Sequence, residues 1–244
     1  MLQTKPDIIA QLKRDILSLQ GFKRTLNADP LNILPGIITE AFPNTAFPLG
    51  AVHEFISTTI ENAAVTCGFV SAILSSLMLK KRVCIWITSS LTIFPNALTS
   101  FGITPDKVVF INLQKEKDIM WVMEEALKLD GLAAVVAETR ELSFTVSRRL
   151  QLAVEKSKVT GFILRHNPRN INTTACVTRW KITSLTSGGL PDDMPGVGFP
   201  RWNVELLKVR NGKPGTWQIE FVGGKLRPVY KTASIAQLQK KKTG

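Results

Sequence analysis

PLGAVHEFISTTIENAAVTCGFVSAILSSLML, residues 48–79, reads as a strand, a turn and a long apolar helix. In an α/β protein this is the usual place for a nucleotide phosphate, because the backbone N–H groups at a helix N-terminus attract anions. The turn is Ser57-Thr58-Thr59-Ile60-Glu61-Asn62-Ala63-Ala64, and it contains no glycine and no lysine. A phosphate cradle needs glycines so that N–H groups can converge, a Lys for the β/γ phosphates, and a Ser/Thr hydroxyl for Mg²⁺. Here Ala63 and Ala64 stand where Lys and Ser/Thr would stand, and Glu61 brings negative charge beside any anion. The frame is that of an ATPase, while its turn, with Ser57, Asn62, Ala63 and Ala64, is a degenerate phosphate loop.

Outward from this stretch, apolar strands alternate with helices. Strands are expected at Ala51–Ile56, Arg82–Thr88, Val108–Leu113, Leu132–Ala137 and Gly161–Arg165. Helices are expected at Ala63–Leu79, Lys115–Leu129 and Thr145–Lys158, with a short one at Pro95–Phe101 closed by Gly102. Strands apolar throughout and interleaved with amphipathic helices indicate a parallel sheet covered on both faces. Beyond about residue 172 the pattern turns to period two. Ala175–Leu185, Arg201–Val209 and Thr216–Val222 read as antiparallel strands, the last two flanking the turn Asn211-Gly212-Lys213-Pro214-Gly215. Ahead of the core, Ile8, Ile9, Leu12, Ile16 and Leu19 fall at helical spacing, and Pro30, Pro35, Pro43 and Pro48 mark an extended connection. The expected organisation is an N-terminal helix and Pro-rich linker (1–47), a core with its β extension (48–224) and a basic tail (225–244).

The net charge is +12, and residues 201–244 alone contribute ten Lys/Arg against Glu205 and Glu220. Such an end attracts phosphate backbones or an acidic partner. Lys225, Arg227, Lys231, Lys240, Lys241 and Lys242 are its candidate nucleic-acid contacts, joined by the adjacent Arg148 and Arg149 at a helix start. Tyr230 is the lone aromatic among the tail cations, so no base-stacking platform is expected. Cys67, Cys84 and Cys176 form no CxxC pair and read as reduced core thiols; with only His53 and His166 to join them, no metal site is expected. His53 and Glu54, on a core strand, read as a satisfied structural pair. The opening MLQTKPDIIAQLKRD has no apolar core of the signal-peptide kind, and no charge-free apolar run reaches membrane-spanning length. A cytoplasmic protein without a membrane span is the expectation.

The core resembles the RecA-type ATPase domain over roughly residues 48–185, and within that superfamily it resembles the ImuA family. The stretches that carry the likeness are Pro48–Glu54, Met120–Leu127 (MWVMEEAL), Ala133–Glu138 (AAVVAE), Ser147–Ala153 (SRRLQLA) and Thr178-Arg179-Trp180. By that resemblance the fold is α/β, a RecA-like (P-loop NTPase-type) parallel sheet with an antiparallel β extension. Two further positions then matter. Ser90 stands where a RecA-like ATPase keeps the glutamate that activates water, and Glu138 stands where the family pattern keeps an acid near Mg²⁺. Glu138 is thus a vestigial acid, and it also reads as a partner for Arg140. Phosphoryl transfer rests on positioning and charge neutralisation, and those parts are missing, so neither hydrolysis nor a cofactor is expected. The resemblance implies a non-catalytic adaptor in SOS-induced, error-prone translesion synthesis. The implied partners are an ImuB-like Y-family polymerase homologue, a second polymerase III α subunit, RecA and DNA. An active RecA-like ATPase or recombinase and a SulA-like division inhibitor stay open as alternatives.

Overall fold

The computed structural model describes residues 33–78, 82–89, 95–188 and 198–229, together with Leu12 and Gly196. The expected N-terminal helix (Leu12 apart), Ser90, Lys231, Lys240, Lys241 and Lys242 lie outside the described residues.

After a short helix α1 (Gly36–Thr39), the core runs β1 (Val52–Ser57), α2 (Ile60–Leu77), β2 (Cys84–Thr88), β3 (Val108–Asn112), α3 (Glu116–Leu127), β4 (Ala134–Thr139), α4 (Phe144–Ser157) and β5 (Thr160–His166). Two 3₁₀ segments, Pro95–Phe101 and Pro105–Lys107, join β2 to β3. The chain continues through β6 (Thr178–Gly188), β7 (Phe199–Val209), β8 (Gly215–Val222) and β9 (Lys225–Pro228). All nine strands form one sheet in the order β3-β2-β4-β5-β1-β6-β7-β8-β9. Strands β1 to β5 pair in parallel, β6 joins β1 in parallel, and β7 to β9 add antiparallel ribbons.

A core lies on each side of the sheet. On the front, α2 places Phe69, Val70, Ile73 and Leu74 against Phe55, Trp86, Phe162, Trp180 and Trp202. The rings of Phe55 and Trp180 stack with centroids 6.1 Å apart, and Phe69 meets Trp202 edge-on at 5.8 Å. On the back, α3 and α4 bring Ile119, Met123, Leu127, Leu150 and Val154 onto Val135, Ala137 and Ile163. Helix α2 is long and apolar enough to cross a bilayer by length and composition, and the fold uses it as the front-layer core helix. Cys84 and Cys176 are buried, Cys67 is half-buried, and all three are free thiols.

Three local departures from the sequence reading have physical causes. Helix α2 begins at Ile60, not Ala63, because Thr59 caps it, its hydroxyl accepting from the Asn62 N–H at 3.2 Å. The stretch read as an extended connection holds α1 and buries Ile33, Leu34, Ile38, Phe42 and Phe47 in the front core; its prolines punctuate a packed segment. The stretch read as the start of a basic tail opens with β9, whose Leu226 pairs with Phe221 and packs on the same core.

Candidate functional site

β1 ends at Ser57 and α2 begins at Ile60, so only Thr58 and Thr59 connect them. A phosphate loop wraps its anion with several consecutive N–H groups in a glycine-rich arc. Here the chain has become helix instead. The Asn62 N–H is spent on the Thr59 side chain, and the Ala63 N–H on the Thr59 carbonyl at 3.0 Å. Ser57 is turned into the fold, its Oγ 3.0 Å from Thr66 Oγ1 and its carbonyl accepting from the Asn167 N–H at 2.7 Å. The exposed Glu61 carboxyl folds back onto the helix start. Its Thr59 hydroxyl partner, then its own backbone N–H, hold its pKa below the usual carboxylate range. The anion-attracting end of α2 therefore already carries a carboxylate. Restoring the two key side chains should not restore the cradle. The Ala63→Lys/Ala64→Thr variant is expected to gain no affinity for a fluorescent ATP analogue, since both side chains sit on a helix without a loop before it. Micromolar binding by that variant would refute this account.

Beside this helix start, at the C-terminal ends of the parallel strands, lies a cleft of about 730 Å³. Thr58, Ile60, Ala63, Cys67, Phe101 and Glu138 are among its lining residues. It has the place and size of a ligand pocket; its surface is largely apolar, and Glu116, Glu138, Arg140 and His166 also line it. Burial pushes the Cys67 thiol far up, so it stays protonated and is no nucleophile. Glu138, 4 % exposed, accepts from Trp86 Nε1 at 2.7 Å and from Thr88 Oγ1 at 3.1 Å, and His166 Nε2 lies 3.4 Å away. The pairing of Glu138 with Arg140 read from the sequence is corrected. Arg140 donates its Nε–H to the Asn167 carbonyl, and its backbone N–H goes to Glu116. Trp86 and Thr88 come from the adjacent strand β2, in reach of the end of β4 by register. The acid is thus bound into its own wall.

His53 and Glu54 do not form a pair, because successive residues of a strand point to opposite faces. His53 lies in the front core, stacked on Phe47 with centroids 4.3 Å apart and bonded to Thr178 Oγ1 and the Pro48 carbonyl, each at 2.8 Å. Glu54 faces the back, wholly buried. Its Oε1 accepts from Arg165 Nη1 at 2.7 Å, and its Oε2 from Arg179 Nε and Thr174 Oγ1, each at 2.8 Å. The two arginines go on to hold the loop between β5 and β6. Arg165 donates to the Asn170 carbonyl and Arg179 to that of Asn172, while Lys208 and Arg210 take the carbonyls of Thr174 and Ala175. This network is the feature sequence reasoning missed. Its signal was a glutamate in the middle of an apolar strand, which requires buried partners.

The described candidate nucleic-acid residues fall on two separate elements. Arg148 and Arg149 lie on α4, where Arg149 is engaged by Glu124 of α3 at 2.5 Å and Arg148 is exposed. Lys225 and Arg227 lie exposed on the edge strand β9, which is four strands from β1.

No family model matches the chain. It is 32% identical over 195 residues to Protein ImuA of Caulobacter vibrioides strain NA1000 / CB15N, spanning 75% of this chain and 80% of that protein. The chain belongs to the ImuA family. Protein ImuA of a second Caulobacter vibrioides strain, ATCC 19089 / CIP 103742 / CB 15, matches to the same extent. Among solved structures, a crystal structure of the RadB recombinase superposes with a TM-score of 0.54 at 13% identity, covering 76% of this chain and 93% of that one. That match shows a RecA-like fold, so this ImuA-family chain carries the sheet and helix layers of a RecA-like domain around a two-residue β1–α2 connection.

Proposed function

We propose that this ImuA-family chain is a cytoplasmic, non-hydrolysing RecA-like adaptor in damage-induced, error-prone translesion synthesis. Family membership together with the RecA-like fold supports an accessory role in mutagenic DNA repair. The observation that carries the non-catalytic part is the two-residue connection Thr58–Thr59, closed by the Glu61 carboxylate. Without converging N–H groups or a lysine, this connection itself does not neutralise the charge of a triphosphate. In this reading the scaffold works by docking: it holds an ImuB-like Y-family polymerase homologue and a second polymerase III α subunit, with RecA and DNA as further contacts.

The test pairs two measurements on the full chain. Co-expression with the Y-family-polymerase-like protein should yield a complex that survives size-exclusion chromatography. Calorimetry with Mg·ATP should give no binding heat at concentrations well above the micromolar range. A complex that never forms removes the adaptor role, and low-micromolar ATP binding removes the non-catalytic reading.

A further inference from the structure

The connection from β5 to β6 crosses the back of the sheet beside α4, where the Ala175 N–H donates to Ser147 Oγ at 2.9 Å. Four cations hold it. Arg165 and Arg179 share the buried Glu54 carboxylate, and Arg165 also reaches Glu141 at 3.5 Å. Lys208, near the end of β7, and Arg210, just past it, are matched differently. Lys208 donates to the Thr174 carbonyl at 2.7 Å and Arg210 to that of Ala175 at 2.8 Å. Neither forms an ion pair among the described residues. An ammonium carries three donors and a guanidinium five, so one carbonyl leaves most of each group's bonding capacity unspent. Both side chains belong to partly exposed residues. Partial burial, and then the neighbouring Arg179, hold the Lys208 ammonium below the usual lysine range; Arg210 adds to the repulsion and Glu54 opposes it. The charge surplus on this face is therefore felt by its own members.

Exposed aliphatic side chains flank these cations along the chain. Ile171, 57 % exposed, lies between Asn170 and Asn172, whose carbonyls the two arginines hold. Leu207, 42 % exposed, is the extra residue at a register shift that sets Lys208 opposite Arg179 and Leu206 opposite Trp180. The cations are pinned by loop carbonyls, so they are set in place before anything binds, which lowers the ordering cost of association. A nucleic-acid backbone has the charge for such a face but no apolar groups to cover Ile171 and Leu207. A protein segment that mixes acidic and aliphatic side chains has both.

We infer that the β5–β6 crossover, together with the β7 bulge and Arg210, is the docking surface for an acidic, aliphatic segment of a partner protein. The partner's carboxylates meet Lys208 and Arg210, and its aliphatic side chains cover Ile171 and Leu207. The inference names the surface used in the adaptor role proposed above and rests on that role.

The experiment uses the full chain with the co-expressed Y-family-polymerase-like protein. In the wild-type complex a zero-length carbodiimide should couple Lys208 to an Asp or Glu of that protein, as read by peptide mass spectrometry. Lys208→Glu/Arg210→Glu and, separately, Ile171→Asp/Leu207→Asp should each weaken the complex about tenfold or more by interferometry. Trp121→Ser, at a comparably exposed side chain on α3, should leave the affinity unchanged. The Ile171/Leu207 pair alters only exposed side chains, so its urea midpoint should match the wild type and separate a lost contact from a lost fold. A complex that forms yet is indifferent to both pairs, or that is weakened only by Trp121→Ser, would overturn the docking surface and leave the adaptor role standing. So would loss of binding to a labelled DNA single strand in both pairs while the protein complex persists. A wild-type chain that forms no complex would overturn both.

Discussion

Glu54→Ala is expected to lower the unfolding free energy by about 3–5 kcal/mol, the usual cost of removing one member of a buried ion network. Glu54 and Arg165 are wholly buried, and Arg179 nearly so. Each arginine bonds one oxygen of the same carboxylate. Without it, two guanidinium groups stay in the interior with carbonyls, the Thr174 hydroxyl and the more distant Glu141 as their remaining partners. The damage should reach the β5–β6 loop as well, because Arg165 and Arg179 hold its carbonyls at Asn170 and Asn172. Urea unfolding followed by tryptophan fluorescence measures the first effect, and amide exchange across residues 167–177 the second. Replacing all three charges, Glu54→Leu/Arg165→Met/Arg179→Met, should recover much of the stability, since isosteric apolar packing avoids the desolvation cost. By contrast, Glu220→Gln at the half-exposed Arg201 pair should cost under about 1 kcal/mol. A Glu54→Ala variant as stable as Glu220→Gln would show that the network does not hold the sheet together.

How much of this was legible in the chain depends on whether the deciding contact is local. The run Cys84-Ile85-Trp86-Ile87-Thr88 is apolar on both faces and could hardly be anything but a buried central strand. The composition of the β1–α2 turn was legible too, since it is a matter of residue types within eight positions. The helix start at Ile60 was harder, because Ser57, Thr58 and Thr59 suit a loop and a cap equally, and only the hydroxyl geometry decides. β9 was hidden by its composition: Lys225, Arg227 and Pro228 are the residues that blunt an exposed sheet edge, so the strand resembles a tail. The partners of Glu54 were out of reach. Arg165 and Arg179 lie 111 and 125 residues away, and they meet Glu54 only because β5 and β6 flank β1. For the same reason Glu138 was assigned to nearby Arg140, when its ligands Trp86 and Thr88 come from the neighbouring strand.

His53 should make the fold acid-sensitive above the range in which carboxylates titrate. Its partners assign the neutral tautomer: Nε2–H donates to the Pro48 carbonyl, and Nδ1 accepts from the Thr178 hydroxyl, which itself accepts from Trp180 Nε1–H at 2.7 Å. Burial between Phe47 and Phe162 lowers the His53 pKa from about 6.5 to about 3, opposed only in part by the Pro48 carbonyl. The unfolded chain takes up a proton below about pH 6.5 that the native chain refuses until about pH 3. Stability from this residue is therefore complete above pH 6.5 and is lost as pH falls through that window. The limiting slope is about 1.4 kcal/mol per pH unit, one proton's worth, and on the order of 4–5 kcal/mol is gone by pH 3. Between pH 6.5 and 5 an unperturbed carboxylate stays mostly ionised, so this is the interval in which the His53 contribution is read. His53→Gln should be less stable at pH 8, having lost its ring contacts, yet flatter by about one proton across that interval. His166→Gln, altered at the half-exposed second histidine, serves as the comparison. Urea midpoints at half-unit pH steps decide it: parallel curves for the wild type and His53→Gln would mean that His53 is protonated in the native core and that burial does not govern it.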